Sequence, residues 1–409
     1  MERTLFTGID IGGLSLRNRL VRSATYEGGA DDRGVPGPAY ARMYEELAGS
    51  GIGMVISGFL YVSHAGHAMH PQQAGFSSPE AIPAFRRVTD VMRENETPFI
   101  AQLAHAGRQT RRQATGVRPV STTHRRSLYF RSRPRKLRSA ETSRIADQFA
   151  IAAAHAREAG FDGVQLHAAH GYLLHQFILS GVNRLRGRYG IDRETGIGSL
   201  LLEQVIDRVR QACGKDFPVL VKVSAETDDP PPFFPERFSA LIRVLDRKRV
   251  AAIEISYGSM DYALNIFRGG APFSLALRHN PLFRTRSPLK RALLTAFFNK
   301  RMLPVFQPFE PMYNLDYAAH AKTLTDIPII TVGGVRARTD MEKAISSGAA
   351  DCVAMSRPFL REPDFAARLR DGAVASACSN CNNCVLMVDA GQPTRCYKRT
   401  FHSPEGQQS

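Results

Sequence analysis

The stretch Phe161–Tyr172 reads FDGVQLHAAHGY and sets His167, His170 and Tyr172 close together. Two imidazoles can hold an anionic oxygen by hydrogen bonds, and a phenol can deliver a proton, so the trio suits acid-assisted chemistry on a polarised carbonyl compound. A metal pair is the competing reading of H-x-x-H, but no carboxylate accompanies it. A second constellation lies near the end of the chain. Cys378, Cys381, Cys384 and Cys396 follow the spacing C-x2-C-x2-C-x11-C. Thiolates so spaced can wrap a cubane and leave the fourth ligand to arrive from farther along, so a [4Fe–4S] cluster is expected here. A zinc ribbon wants two separate C-x2-C knuckles, and Cys381 would have to serve both; zinc or an empty site is the alternative. Cys213 and Cys352 stand alone in apolar surroundings and read as inert core thiols.

Such side chains need strand ends to aim them. Short, mostly apolar runs recur at Leu20–Ala24, Met54–Ser57, Phe99–Leu103, Gly163–His167, Val219–Ser224, Ala252–Ser256, Ile329–Val332 and Cys352–Met355. Buried parallel strands read this way. Between them lie helical patterns, among them Asp147–Ala159 ending at Gly160, Leu200–Cys213, and Arg338–Ser347 ending at Gly348. Eight runs with intervening helices predict an α/β fold of the (β/α)8 TIM-barrel type over residues 1–360, followed by a short cysteine-rich extension over 361–409. An open doubly wound sheet is the runner-up, but no G-x-G-x-x-G follows any run. P-loop, H-E-x-x-H and G-x-S-x-G signatures are absent too. His167 ends the fourth run, which in a barrel puts the trio at the catalytic mouth. Two connections are long: the one after the third run, and Tyr257–Asp326, whose middle, Arg268–Met302, is basic and follows no clear period.

The chain has 409 residues, 43% hydrophobic and 22% charged, with 33 Gly and 24 Pro in no triplet period. That composition excludes a collagen-like or wholly disordered chain. No apolar run approaches the ~20 residues of a membrane helix, and the first residues lack the apolar stretch of a secretory signal. A soluble, cytoplasmic protein with no membrane partner is expected. The formal charge is +16, and eleven basic residues with no acidic one fall between His105 and Ala140. A solvated loop is the plain reading. A docking patch for an acidic electron-transfer protein, or a site for an anionic substrate, is the functional one. Nucleic acid is not expected as a partner, because Tyr129 and Phe130 are the segment's only aromatics.

The stretch FDGVQLHAAHGYLLHQFILSGVNRLRGRYG resembles the signature of the Old Yellow Enzyme family of FMN barrels. PFIAQLAHAGRQ resembles that family's third strand, LFTGIDIGGLSLRNRLVRSATYEGG its N-terminus, and PIITVGGVR with CVAMSRPFLREPDF its phosphate-binding seventh and eighth strands. The likeness runs in order from Leu5 to Cys396, and the cysteine tail is similar to the branch of 2,4-dienoyl-CoA reductase and trimethylamine dehydrogenase. The resemblance implies FMN, lined by Ala24, Thr25, Tyr26 and Gly58. Gln102 would meet its pyrimidine edge and Lys222 the N1/O2 side. Gly333, Gly334, Ser356 and Arg357 would hold its phosphate. It further implies reduction of an activated C=C bond of an unsaturated carbonyl compound, or the reverse desaturation. In that reading His167 and His170 bind the carbonyl oxygen, Tyr172 gives the proton, and hydride comes from flavin N5. Alternatives are an amine-dehydrogenase-like oxidation and a redox adaptor passing electrons through FMN and cluster. Electrons would come from NAD(P)H or an acidic electron-transfer protein, and the assembly is open to a homo-oligomer. Three departures stand out. Tyr26 replaces the family's usual Cys or Thr, Gly187 and Ile191 replace an Asp and a Gly after Asn183, and the cysteine spacing is one residue shorter than in dienoyl-CoA reductase.

Overall fold

The computed structural model describes residues 3–68 and 72–398; the ends of both expected segments, residues 1–2 and 399–409, lie outside these. Eight parallel strands are β1 (Leu20–Arg22), β2 (Met54–Ile56), β3 (Phe99–Ala104), β4 (Gly163–Ala168), β5 (Val219–Ser224), β6 (Ile253–Ser256), β7 (Ile329–Val332) and β8 (Cys352–Met355). Each pairs with its neighbours in sequence, and β8 pairs with β1, so the sheet closes into a barrel. The connecting helices are α1 (Pro38–Ala48), α2 (Ile82–Glu94), α3 (Ser139–Glu158), α4 (Leu200–Cys213), α5 (Glu236–Arg247), α6 (Leu315–Lys322), α7 (Arg338–Ser346) and α8 (Phe365–Arg370). Helix α8 lies past residue 360 yet buries Phe365 and Leu369 in the barrel core, so barrel packing continues where the strand-and-helix pattern of the sequence fades.

Three apolar clusters divide the work. The largest lies between strands and helices, with Phe85, Phe149, Val205 and Leu241 fully buried. A second fills the barrel interior with Val21, Met54, Ile100, Leu220, Ile330 and Ala354. Ile11 and Leu16, from the hairpin Ile9–Ile11/Leu14–Leu16, join that cluster and stop the barrel's N-terminal end. Cys352 belongs to it as well, and burial pushes its thiol up to about 12, as an inert core position should. The third cluster caps the opposite end: Phe130 from the basic connection and Met260 and Ile266 from the connection after β6 gather around Tyr172.

The basic connection is tied down rather than free. Arg108 is 1% exposed and donates to Asp261 at 2.7 Å. The same carboxylate accepts from the Ser127 hydroxyl at 2.9 Å and the Leu128 N–H at 2.8 Å. Arg125 faces Asp229 at 3.6 Å and Arg135 pairs with Glu141 at 2.6 Å. Arg108 therefore serves the packing of the cap and is not available to a docking partner. Asp261→Ala strands a buried guanidinium, so a loss of about 3–5 kcal/mol is expected in chemical denaturation. The double variant Arg108→Met/Asp261→Leu should regain part of it, because Ser127 and Leu128 still lose their acceptor. Equal losses in the two would show that packing, not charge, governs this spot.

Candidate active site

His167 is the penultimate residue of β4, and the chain then bends. His170 has φ 58 and Gly171 φ 74, a left-handed pair that turns the backbone sharply. The bend is pinned by the His170 N–H to Ser224 Oγ at 3.1 Å and the Gly171 N–H to His175 Nδ1 at 2.9 Å. The two imidazoles then meet, His167 Nε2 to His170 Nδ1 at 3.0 Å, and His170 Nε2 reaches Ser256 Oγ, at the end of β6, at 2.8 Å. His167 Nδ1 is buried and has no partner. Tyr172 packs its ring on His167 at 4.7 Å and on Phe59 at 5.5 Å, and Phe59 touches Tyr26 at 5.7 Å. The three residues expected to act together are thus adjacent, with Tyr26 forming a further wall.

Both imidazoles are held well below the usual histidine range, first by burial and then by like charges that include Lys222. Burial also pushes Tyr172 and Tyr26 upward. The site therefore presents neutral rings and protonated phenols near neutral pH. Neutral imidazole has one donor and one acceptor nitrogen. If Ser256 donates to His170 Nε2, His170 Nδ1–H donates to His167 Nε2, and His167 Nδ1–H points free.

Beneath the mouth runs a buried polar chain. Glu254 accepts from Ser23 Oγ at 2.6 Å, Lys222 Nζ at 3.0 Å and Gln165 Nε2 at 2.8 Å. Gln165 Oε1 in turn accepts from Gln102 Nε2 at 2.6 Å, leaving Gln102 Oε1 buried without a partner. Sequence reasoning singled out Gln102 and Lys222 but missed Gln165, Glu254, Ser23 and Ser256. The signal was present, since Gln165 and Glu254 are polar residues in the middle of apolar runs.

The other expected cofactor residues fall at neighbouring strand ends. Thr25 Oγ1 meets Ser356 Oγ at 2.7 Å, joining the ends of β1 and β8. Ala24 packs against the barrel-interior cluster. The Gly58 N–H donates to the buried Glu27 carboxylate, which also accepts from Tyr44 and lies 3.8 Å from Arg22; a Cβ at Gly58 would overlap that carboxylate. Gly333 and Gly334, at φ 126 and 73, lie under Tyr313 and Met312, so neither has room for a side chain. Around Tyr313 gather Arg268, Arg336 and Arg357. Arg268 stacks on the Tyr313 ring at 4.2 Å, and Glu310, 3.6 Å away, is its one ion-pair partner among the described residues. Burial, followed by the nearby Arg357, brings Arg336 down to about 10. This surplus of buried positive charge suits an anion. Arg357, however, turns its guanidinium to the carbonyl of Arg268 at 3.3 Å and to the Asn382 side chain, towards the cysteine segment.

That segment crosses the barrel face as a strap. Asn380 and Asn382, both left-handed at φ 55 and 58, alternate with the cysteines. Asn380 accepts from Arg336 Nε at 2.9 Å, and its carbonyl accepts from the Gly270 N–H at 2.8 Å. Cys378, Cys381, Cys384 and Cys396 line one cavity together with Arg357 and Arg361. Among the described residues no three His, Cys, Asp or Glu side chains are placed to hold a single metal ion.

The family model for NADH:flavin oxidoreductase / NADH oxidase matches residues 4–236 and 290–375. The chain is 26% identical over 404 residues to the 4,4'-dithiodibutanoate disulfide reductase of Rhodococcus erythropolis, covering 97% of this chain and 95% of that one. It is 26% identical to the NADH oxidase of Thermoanaerobacter brockii over 92% of its own length and 52% of that protein's, so it spans about half of that relative. A solved 2-naphthoyl-CoA reductase complex superposes with TM-score 0.80 at 20% identity, over 96% of this chain and 56% of that one; the shared fold is the barrel.

Histidine-selective NMR should find His167 and His170 neutral from pH 8 down to 6, with His105 and His175, lowered by burial to about 4 and 3, behaving likewise. Because these folded values lie below the unfolded ~6.5, their contribution to stability is complete above ~6.5 and is lost as pH falls towards the folded values. An imidazolium signal from His167 at pH 7 would contradict this.

Proposed function

The chain belongs to the NADH:flavin oxidoreductase / NADH oxidase family, and from that premise we propose that it reduces activated C=C bonds of unsaturated carbonyl compounds with FMN, and that its cysteine strap holds a [4Fe–4S] cluster. The observation that carries the reading is the neutral relay Ser256–His170–His167 ending on an unpartnered Nδ1 beside Tyr172. With Ser256 donating to His170, His167 Nδ1 carries the free proton, and such a donor is what a developing enolate oxygen needs.

The residues fit FMN. The orphaned Gln102 Oε1 would accept from the pyrimidine edge, and Lys222 would set a cation beside it. Backbone at Ala24, Thr25, Tyr26 and Gly58 would line the ring. Gly333, Gly334, Ser356 and the Arg268, Arg336 and Arg357 cluster would take the phosphate. When bound, FMN supplies hydride to the β-carbon. His167 holds the carbonyl oxygen, and His170 fixes the tautomer and orientation of His167. Tyr172, kept protonated by burial, gives its proton to the α-carbon. Phe59, Phe130, Met260 and Ile266 exclude water.

The strap offers a cluster its donor set, four thiols on one cavity with guanidinium groups on its wall; at about 20 Å³ the cavity has to widen to take a cubane. A cubane spreads its ligands over separate iron corners, so these thiols need not converge on one point as for zinc. When bound, the cluster supplies one-electron transfer. For the electron source we favour NAD(P)H acting at the flavin, since Arg108, Arg125 and Arg135 of the basic connection already face acidic partners within the chain.

The deciding experiment is an absorbance spectrum of anaerobically purified protein before and after NADPH, with the bound flavin identified by mass spectrometry. Flavin bleaching at turnover rate is expected; protein reconstituted with excess FMN that retains none would sink the reading. Tyr172→Phe should leave reduction by NADPH intact and slow reoxidation by an enone roughly 10²–10⁴-fold; equal slowing of both half-reactions would remove Tyr172 from the donor role. Cys378→Ala should lose the broad brown absorbance while Cys213→Ala keeps it, and one zinc with no iron by metal analysis would refute the cluster while leaving the flavin site intact.

A further inference from the structure

Between β6 and α6 the chain leaves the barrel and builds a layer of its own. Phe273–His279 is a short helix packed on the strap helix Asn383–Asp389, and Pro288–Arg301 packs on the outside of Phe273–His279. The outer helix has a firm start, with Ser287 Oγ accepting from the Lys290 N–H at 3.2 Å and Pro at its first position. Its inward side rests on Leu294 and Phe298, the latter 5.5 Å from Phe273. Its outward side is also apolar. Leu289, Leu293 and Phe297, four residues apart and hence on one face, are 71%, 64% and 54% exposed. Eight of the twelve large hydrophobic side chains exposed among the described residues lie between Leu282 and Val305. Such crowding is not the scatter of a solvated surface.

Charge narrows what can cover this face. From Phe273 to Phe309 the sequence has seven Lys or Arg and no Asp or Glu. Two copies meeting here would set positive on positive. The outer helix rests on another helix, and its three apolar side chains stand more than half exposed. Leu and Phe on one side with flanking Lys and Arg, whose stems can bend their charges outward, is the composition of an in-plane interfacial helix. No helix among the described residues is long and apolar enough to cross a membrane, and none is needed for a surface contact.

Against the expectation of no membrane partner, we propose that the outer helix Pro288–Arg301 docks the protein on an anionic lipid bilayer. Leu289, Leu293 and Phe297 enter the acyl boundary, and Lys290, Lys300 and Arg301 face the lipid phosphates.

The test uses the full, cofactor-loaded chain and vesicle co-sedimentation. Vesicles of phosphatidylcholine with about 30 mol% phosphatidylglycerol should retain it, pure phosphatidylcholine should not, and raising NaCl to about 0.5 M should release it. Leu293→Ser/Phe297→Ser and, separately, Lys300→Glu/Arg301→Glu should each weaken retention at least about tenfold, with flavin content and enone reduction in solution unchanged, because both pairs lie on the exposed face. The proposal fails if neither kind of vesicle retains the wild type, if both retain it equally, or if the variants bind as the wild type does. It also fails if sedimentation velocity shows a dimer that the Leu293→Ser/Phe297→Ser variant dissociates, which would give the face to a second copy. Salt-sensitive binding of an acidic ferredoxin to this helix without vesicle binding would overturn it likewise.

Discussion

A carboxylate buried inside a barrel must be satisfied by the barrel itself, and Glu254 is such a group. It takes bonds from β1's neighbour Ser23, from Lys222 on β5 and from Gln165 on β4, and through Gln165 it reaches Gln102 on β3. Five strands are thereby brought to one height around the axis. A one-residue slip of any of them would point an apolar side chain at the charge and turn a polar one into the helix layer. Above that level His167, His170 and Ser256 lie beneath the apolar cap, and below it Met54, Ile100 and Leu220 fill the space. The ion pair therefore draws the floor of the candidate site.

The same pair conditions the mouth. Lys222 contributes to holding His167 and His170 neutral, although burial is the larger cause. A charged imidazole could not pass the hydrogen-bond order from Ser256 to His167, because both its nitrogens would donate. Neutrality thus leaves each ring one donor and one acceptor nitrogen, so the relay can form, and the left-handed turn at His170 and Gly171 fixes where it lies. Geometry and protonation state arise from one arrangement of strand ends.

Much of this was written in short apolar runs. All eight strands fall within two residues of where the sequence put them, because short apolar runs bounded by turn or polar residues are how buried parallel strands read. Helix α4 lies where its pattern placed it, whereas α3 begins well before the expected Asp147, since its first turns at Ser139–Arg144 are polar. The connection Arg268–Met302 resisted reading because its outer helix is apolar on two faces, and a pattern that serves two surfaces has no single period. The relay partner Ser256 and the floor residues Gln165 and Glu254 were visible only as polar residues inside strands, a sign that says buried and satisfied but not by what. The turn of Arg357 towards Asn382 had no sequence sign at all, since it depends on where the strap crosses.

That crossing links two sites the sequence kept apart. Arg336 and Arg357 sit between the glycine pair at the end of β7 and the wall of the cysteine cavity. Burial lowers Arg336, and the like charge of Arg357 lowers it further. On the proposed reading, a phosphate on one side and a thiolate-bound cluster on the other are both anions facing the same two guanidinium groups. Each anion would relieve the repulsion that the bare protein carries, so each would ease the arrival of the other, and the coupling would be mutual by linkage. Asn380 and Asn382 make this possible by holding the strap against the arginines through neutral side chains, which position the guanidinium groups without consuming their charge. An Asp at either place would anchor the strap as well, yet it would neutralise the field that both anions require.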